Sequence, residues 1–252
     1  MVNFVGAGCG AKDLITVRGM NLIKEADVII YAGSLVNPEL LEYKNEECEV
    51  YNSATMTLEE IIEVIKKAEE EGKKTVRLHT GEPSLYGAVR EQMDELDKLG
   101  IKYRSTPGVS ACFGAASSLD LEYTLPGISQ SLVITRMEGK TKVPENESIE
   151  SFAKHHASMA IYLSSSMTKE LSEKLISGGY VSETPAAIVY KATWPDEKVI
   201  LCTVGTLDSA AKENNITKTA IILIGDAISH SAYEKSKLYS ADFETEYRAK
   251  KQ

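Results

Sequence analysis

One short stretch, beginning at His79, combines side chains that can move protons with backbone that another molecule can approach closely. His79, Glu82 and Tyr86 each carry a titratable group of the kind used in general acid–base catalysis. Gly81 permits close approach to the main chain, and Pro83 fixes its own φ angle. No Ser/His/Asp or Cys/His pattern for nucleophilic catalysis is evident in the sequence. The stretch therefore predicts a ligand site that handles protons.

The elements on either side of this stretch place it at the end of a β-strand. Residues 75–78 are predicted to form a short strand, and residues 87–96 a helix. A strand that ends in Gly-containing backbone and leads into a helix is where open α/β sheets bind ligands. Three plainer interpretations stay open: an ordinary strand-to-helix turn, a His79 bonded to its own sheet, and a Tyr86 that only packs.

Two more strand-to-helix junctions are evident. The strand predicted at residues 3–6 runs into a glycine loop at 6–10, and Thr16 can cap a helix over 17–25. The loop spacing is Gly-x-Gly-x-Gly, and no acidic residue follows a second strand about 20 residues later. A classical nicotinamide site is therefore disfavoured. The second junction, at residues 106–111, opens a helix of small side chains that permits close packing.

The order of predicted elements indicates two α/β domains in series, with the active site in the crevice between them. The N-terminal domain, residues 1–120, has a mostly parallel sheet, and the C-terminal domain, 121–252, has a mixed sheet because its connections are shorter. From about residue 230 the chain is predicted to form a polar surface helix or a frayed tail. Further strands are predicted at 28–31, 101–104, 131–135, 159–163, 186–190, 198–204 and 220–225, and helices at 58–71, 111–118, 167–176 and 207–212.

Composition narrows the class of protein. The 252 residues are 43% hydrophobic, which suffices for one large or two medium domains. The formal net charge of −9 argues against general nucleic-acid binding. The four cysteines are far apart without metal-ligand spacing, so we expect no metal site and reduced thiols in a cytoplasm. No apolar run reaches the roughly 18 residues of a membrane span, and the N-terminus carries no basic leader of a secretory signal.

Three motifs in this order, at residues 6–19, 81–87 and 107–111, resemble the tetrapyrrole methyltransferase family. The resemblance extends from residue 2 to about residue 228. Residues 31–36 and 52–60 are similar to the branch that methylates carbon 11 of precorrin-4 or cobalt-precorrin-4 in cobalamin synthesis.

The resemblance implies a homodimer that uses S-adenosylmethionine. It implies that the N-terminal domain holds the tetrapyrrole and part of the cofactor, and that the C-terminal domain closes the cofactor pocket. The cofactor contacts that it implies are Thr80, Gly81, Glu82, Leu85, Ser110, Ala111, Leu163, Ala192, Thr219 and Ala220.

The resemblance also implies where the substrate binds. The first glycine loop, with Gly8 and Gly10, would face the tetrapyrrole. Because this substrate carries several carboxylates, cations should gather at its rim, and Lys12, Arg18 and Arg136 are the candidates. Lys140 and Lys142 lie beside the same predicted loops. For each cation, a solvated surface charge is the open alternative.

The chain departs from the family pattern at two places. The family usually has Gly-Pro-Gly-Asp-Pro in the first loop, where this chain has Cys9 and no proline. It usually has Gly-Asp-Pro in the second loop, where this chain has Glu82, whose carboxylate reaches one methylene further.

Three alternative functions stay open. One is methylation at another ring position, C20, C17 or C2/C7 of a precorrin or of uroporphyrinogen III. A second, methylation of ribosomal RNA, is disfavoured by the acidic charge. The third is a nucleotide-binding module without catalysis.

Overall fold

The computed structural model describes residues 1–229 and 233–249 and divides the chain into two compact units. The first unit is Met1–Ser118 together with Lys191–Glu197, and the second is Leu119–Tyr190 together with Lys198–Gln252. Within the described ranges, no helix has the length and apolar character needed to cross a membrane.

The first unit is built on a five-stranded parallel sheet with the strand order β3-β2-β4-β1-β5. Its strands are β1 (Val2–Gly6), β2 (Val28–Tyr31), β3 (Glu49–Asn52), β4 (Thr75–His79) and β5 (Tyr103–Thr106). The predicted parallel sheet is thus confirmed. The sequence did not predict β3, because this edge strand is largely exposed and shows no apolar alternation.

Side-chain caps fix the start of the first two α-helices of the first unit. The helices of this unit are α1 (Val17–Lys24), α2 (Leu58–Glu70), α3 (Arg90–Lys98) and α4 (Ala111–Ser118). The Thr16 side chain accepts from Gly19 N–H at 3.1 Å, which confirms the predicted cap of α1. Thr57 and Glu60 form a capping box at the start of α2, and Gly72 follows its end at φ 72°.

Two predicted element starts in the first unit were wrong by two residues or more. The helix expected from residue 87 begins only at Arg90, because Tyr86 and Ala88 adopt left-handed φ angles of 55° and 49° that no α-helix can contain. The strand expected at 101–104 begins at Tyr103 instead, because the chain is still turning after Gly100, whose φ is 67°.

Apolar side chains cover both faces of the parallel sheet, as its burial requires. One face packs Val5, Ile29, Val76 and Leu78 against Ile23 of α1. The other face packs strand residues against α2 and α3, and its largest buried members are Phe4, Ile30, Ile65 and Leu96. With both faces covered, only the loops at the strand ends remain to bind a ligand.

The second unit is built on a mixed five-stranded sheet, as the sequence predicted, with the order β6-β7-β10-β8-β9. Only β6 and β7 pair in parallel, and the other neighbours are antiparallel. Its strands are β6 (Leu132–Arg136), β7 (Ser158–Tyr162), β8 (Pro185–Tyr190), β9 (Lys198–Thr203) and β10 (Ala220–Ile224). Its helices are α5 (Ile149–Ala153), α6 (Thr168–Gly178) and α7 (Leu207–Glu213).

The second unit has one helix that the sequence analysis missed and a tail without a long helix. Ser148 caps the short α5, a single turn and a half that is too brief to show periodicity. The predicted tail from residue 230 falls partly on 230–232 and 250–252, which lie outside the described residues. Within 233–249 the chain forms one 3-10 turn, Lys237–Tyr239, and no α-helix.

Candidate functional site

The carboxyl ends of β1 and β4 form the switch point of the parallel sheet. These strands are neighbours, but the chain leaves β1 towards β2 on one side and leaves β4 towards β5 on the other. Open α/β sheets bind ligands in the crevice that opens between two such diverging connections. The loop after β4 is the stretch that the sequence analysis selected, so the fold places that stretch at the expected position.

Three glycines allow the loops after β1, β4 and β5 to touch. A Cβ on Gly6 would lie 2.6 Å from the carbonyl oxygen of Gly81, and one on Gly108 would lie 2.1 Å from the same atom. Real side chains are excluded at such distances. At these glycines the backbone of one loop therefore lies directly against the backbone of the next.

Hydrogen bonds join the first loop to the central one. Gly81 N–H donates to Gly8 O at 2.9 Å, and Ala7 N–H donates to His79 O at 2.7 Å. Gly8 and Gly81 have φ angles of 84° and 60°, in the region that favours glycine. Gly8, from the predicted substrate loop, and Gly81, from the predicted cofactor loop, are thus direct neighbours.

The Glu82 carboxylate ties the central loop to the third one. Its Oε1 accepts from Ser84 N–H at 3.0 Å, and its Oε2 accepts from Gly108 N–H at 2.9 Å. Partial burial would raise the pKa of Glu82, but these hydrogen bonds outweigh it and hold the pKa below the usual value. The carboxylate therefore stays ionised at neutral pH, and both of its oxygens are engaged by main-chain amides.

Two of the predicted cofactor residues, Ser110 and Ala111 from the loop after β5, lie beside Gly81. A Cβ on Gly81 would lie 3.7 Å from Ser110 Cα and 3.9 Å from Ala111 N, so the loop after β5 borders the loop after β4. The Thr80 hydroxyl oxygen is buried and has no hydrogen-bond partner within the described ranges. A buried hydroxyl without a partner costs free energy, which a bound polar ligand would recover.

His79 lies inside the unit instead of on the loop surface. It is buried and stacks on Phe4 with ring centroids 5.9 Å apart. Its Nε2 has no hydrogen-bond partner among the described residues. Burial, with a smaller contribution from nearby Arg77, lowers the pKa of His79 to about 3, so the ring is neutral at neutral pH.

Arg77 and Gln92 were not identified from the sequence. Arg77 is buried in β4, and no carboxylate of the described chain forms an ion pair with it. Its Nε donates to Gln92 Oε1 at 2.9 Å, and Gln92 Nε2 donates to Ala88 O at 2.9 Å. This pair supports the turn that contains the half-exposed Tyr86. A charged residue within an otherwise buried strand was the available signal.

The segment Lys191–Glu197, which joins β8 to β9 in the chain, also contributes to the first unit. A Cβ on Gly10 would lie 2.5 Å from Ala192 O, so Ala192 lies beside the first glycine loop. Thr193 bonds to the same loop through its hydroxyl, which accepts from Ala11 N–H at 3.0 Å. The sequence analysis selected Ala192 but not Thr193.

The three remaining predicted cofactor residues lie together in the second unit. Leu163 follows β7, Thr219 precedes β10, and Ala220 begins β10. β7 and β10 pair antiparallel, so the end of one is next to the start of the other. Leu163 is 64% exposed, and Leu163 and Thr219 both have left-handed φ angles. Exposed and strained residues of this kind are typical of ligand sites.

The three predicted rim cations differ in the contacts that their side chains make. Lys12 pairs with Glu42 at 2.8 Å, which offsets its charge. Arg136 in the second unit donates to the carbonyl oxygens of its own loop, at 3.0 to 3.1 Å. Arg18 is exposed on α1, which begins just after the first glycine loop. Of the three, only Arg18 has a side chain that forms no hydrogen bond or ion pair within the described residues.

Known proteins are similar to this chain in sequence over nearly its whole length. Residues 1–208 match the family model of tetrapyrrole (corrin/porphyrin) methylases. The cobalt-precorrin-4 C(11)-methyltransferase of Methanocaldococcus jannaschii is 53% identical over 247 residues, which cover 98% of this chain and 95% of that protein. The precorrin-4 C(11)-methyltransferase of Pseudomonas aeruginosa is 40% identical, with 98% of each chain covered.

A solved structure agrees with the fold. The crystal structure of a cobalt precorrin-4 methyltransferase, a cobalamin biosynthetic enzyme, superposes with a TM-score of 0.88 at 44% identity, and covers 90% of this chain and 95% of its own. The resemblance inferred from the three motifs and the predicted two-sheet α/β architecture are both confirmed. This chain belongs to the tetrapyrrole (corrin/porphyrin) methylases.

Proposed function

We propose that this chain transfers a methyl group from S-adenosylmethionine to carbon 11 of precorrin-4 or cobalt-precorrin-4 during cobalamin biosynthesis. The observation that carries this proposal is the similarity, over nearly full length, to relatives that bear that activity in their names. It includes the strand-end loops on which the sequence motifs fall.

The reaction is a displacement in which few protein groups need to take part. S-adenosylmethionine, when bound, supplies an electrophilic methyl group on its sulfonium sulfur. A carbon–carbon bond forms at the ring as the carbon–sulfur bond breaks, and a proton leaves the substrate. The contribution of the protein is to align the two molecules and exclude water, which can account for a large part of the rate.

The residues at the sheet switch point fit this cofactor. The unpartnered Thr80 hydroxyl and the bare backbone at Gly81 offer polar contacts without steric obstruction. We assign Leu85, Ser110 and Ala111 to the same site, where the loops after β4 and β5 meet. Ala192 borders it through the first glycine loop. Leu163, Thr219 and Ala220 of the second unit stay predictions from the family resemblance.

The three candidate proton carriers are not equivalent. His79, with a pKa of about 3, accepts few protons at neutral pH. Glu82 is occupied by two backbone amides, which gives it a positioning task. Tyr86 is 45% exposed and lies on the same loop, so we favour it for contact with the substrate. We place the tetrapyrrole against Gly8 and Gly10, with Arg18, Lys12 and Arg136 as candidates for its carboxylates.

Product analysis tests the proposal. Purified protein is incubated with S-adenosylmethionine labelled with ¹³C in its methyl group, and with precorrin-4 or cobalt-precorrin-4 in separate reactions. We expect one added methyl by mass and a ¹³C signal at C11 by NMR, and the two reactions show whether cobalt is needed. A methyl at another position, or transfer to uroporphyrinogen III instead, would contradict the assignment.

Two simpler measurements would also test the proposal. Denaturing the purified protein should release S-adenosylhomocysteine, identified by mass. We further propose a cytoplasmic homodimer, for which light scattering should give twice the chain mass of 27.6 kDa. Cofactor binding without turnover on any precorrin would instead favour a regulatory module.

A further inference from the structure

Thr193 has a backbone conformation that is unusual for its type. Its φ is 68°, in the left-handed region. For a β-branched residue this is a genuine outlier, because the branched Cβ crowds the backbone. Such strain persists only where surrounding contacts hold it, and it concentrates at functional sites.

Hydrogen bonds on both sides hold Thr193 in place. Its hydroxyl accepts from Ala11 N–H at 3.0 Å and lies 3.4 Å from Cys9 Sγ. Its own N–H donates to the Glu197 carboxylate, which also accepts from Ser118 Oγ at 2.6 Å. The Lys191–Glu197 segment is thereby attached to the first glycine loop and to the end of α4.

Close packing reinforces this attachment. A Cβ on Gly10 would lie 2.3 Å from the Trp194 ring and 2.7 Å from the Thr193 hydroxyl oxygen. A Cβ on Gly114 would lie 2.6 Å from Cys9 Sγ and 3.4 Å from Thr193 Cγ2. Glycines at these two positions let the segment, the loop and α4 interlock. Buried Cys9 thus contacts both Thr193 and the Gly114 backbone.

We propose that Thr193 is a positioning residue that fixes Ala192, on the cofactor side, against residues 9–11 of the substrate loop. This inference rests on the proposed function, because the two ligands give these neighbours their roles. The hydroxyl carries the effect, since it holds the Ala11 amide of the loop. We assign Thr193 no contact of its own with either ligand.

Two variants separate the hydroxyl from the shape of the side chain. Thr193→Val keeps the β-branch and removes the hydroxyl, whereas Thr193→Ser keeps the hydroxyl and removes the branch. Thr206→Val is the matched control, because the Thr206 hydroxyl accepts from Thr203 N–H at 2.9 Å in the second unit. All three are made in the full-length protein.

Hydrogen exchange tests the contact without reference to activity. Deuterium uptake by a peptide covering residues 7–14 should be roughly 2- to 10-fold faster in Thr193→Val, the factor expected for one lost hydrogen bond. Thr193→Ser and Thr206→Val should match the parent. Equal uptake in Thr193→Val and the parent would overturn the contact.

Kinetics test the functional part of the inference. Thr193→Val should raise KM for both S-adenosylmethionine and the tetrapyrrole by about 2- to 10-fold, and Thr193→Ser should restore both values. A merely structural residue would reduce the folded fraction and leave KM unchanged, and this result would refute the positioning role. If the parent methylates no precorrin, the proposed function fails, but the exchange experiment still decides whether the hydroxyl holds the loop.

Discussion

Replacing Glu82 by Gln should weaken cofactor binding by loosening the join between two strand-end loops. The carboxylate accepts from Ser84 N–H with one oxygen and from Gly108 N–H with the other. Gln keeps only one acceptor oxygen, and its amide group is a donor that cannot bond to the second N–H. One of the two loop contacts is therefore lost in any rotamer.

The magnitude follows from the kind of bond that is lost. Hydrogen bonds to charged groups contribute about 1.5–3 kcal/mol, and we take about 1.5 kcal/mol because Glu82 is only partly buried. If binding requires both loops in their present positions, this free energy corresponds to a loss of affinity of roughly tenfold.

Calorimetric titration with S-adenosylhomocysteine measures this loss. Asp27→Asn is the matched control, because the Asp27 carboxylate accepts from Lys74 N–H at 2.7 Å at the amino ends of β2 and β4, away from the loops that carry the site. We expect the control to bind as the parent does. Deuterium uptake around Ser84 or Gly108, whichever amide loses its acceptor, should rise only in Glu82→Gln.

A different result would refute the reasoning. If Glu82→Gln bound the product normally and lost only kcat, Glu82 would act on the substrate as a base and not as a clamp between loops. Cofactor affinity unchanged in both variants, together with unchanged exchange at both Ser84 and Gly108, would remove any role for these hydrogen bonds.

The clamp also has a predictable pH dependence. The pKa of Glu82 is lowered in the folded chain, so its contribution is present above the unfolded carboxyl pKa and is lost as pH falls through the folded value. Affinity of the parent for S-adenosylhomocysteine should therefore decrease as pH falls through the folded pKa of Glu82, which lies below the ordinary value of about 4.3. This acid-dependent decrease should be smaller in Glu82→Gln, as titrations across pH 3.5–7 would show.

Three further predictions concern the same unit and one matched position outside it. Gly108→Ala should lower the unfolding midpoint in thermal denaturation, by an overpacking cost of about 1–3 kcal/mol, because its Cβ would meet Gly81 O at 2.1 Å. Gly139→Ala should leave the midpoint unchanged, because a Cβ there meets no atom within 4 Å. Equal midpoints for the two variants would refute the crowding at Gly108. His79 should cost the parent about 2 kcal/mol of stability between pH 7 and pH 5, because the unfolded histidine binds a proton there and the buried one, with a pKa of about 3, does not. His79→Leu should abolish this loss. Urea titrations at both pH values check this, and an unchanged pH dependence would contradict it. Arg18→Glu should raise KM for the anionic tetrapyrrole several-fold, because about 1 kcal/mol of attraction is lost, and should leave the affinity for S-adenosylhomocysteine unchanged. Unchanged kinetics would show that Arg18 does not bind the substrate.

The sequence by itself determined the local elements and the family. Thr16 caps α1 and Gly72 follows α2 as predicted, because caps and stops depend on residues a few positions apart. The three glycine motifs identified the family because their order is specific. The sequence also indicated the mixed sheet of the second unit, because the connection from β8 to β9 is too short for a parallel crossover.

Only the tertiary structure decided which residues of those motifs meet. The sequence offered Glu82 as a proton carrier, but the fold gives its carboxylate to Gly108, 26 positions away. It offered no reason to select Thr193, which reaches Ala11 across 182 positions. Contacts over such separations depend on how the strands order and the loops pack. Side-chain periodicity and capping report only on neighbours within a few residues, so the sequence predicted the strand-end loops but not their mutual contacts.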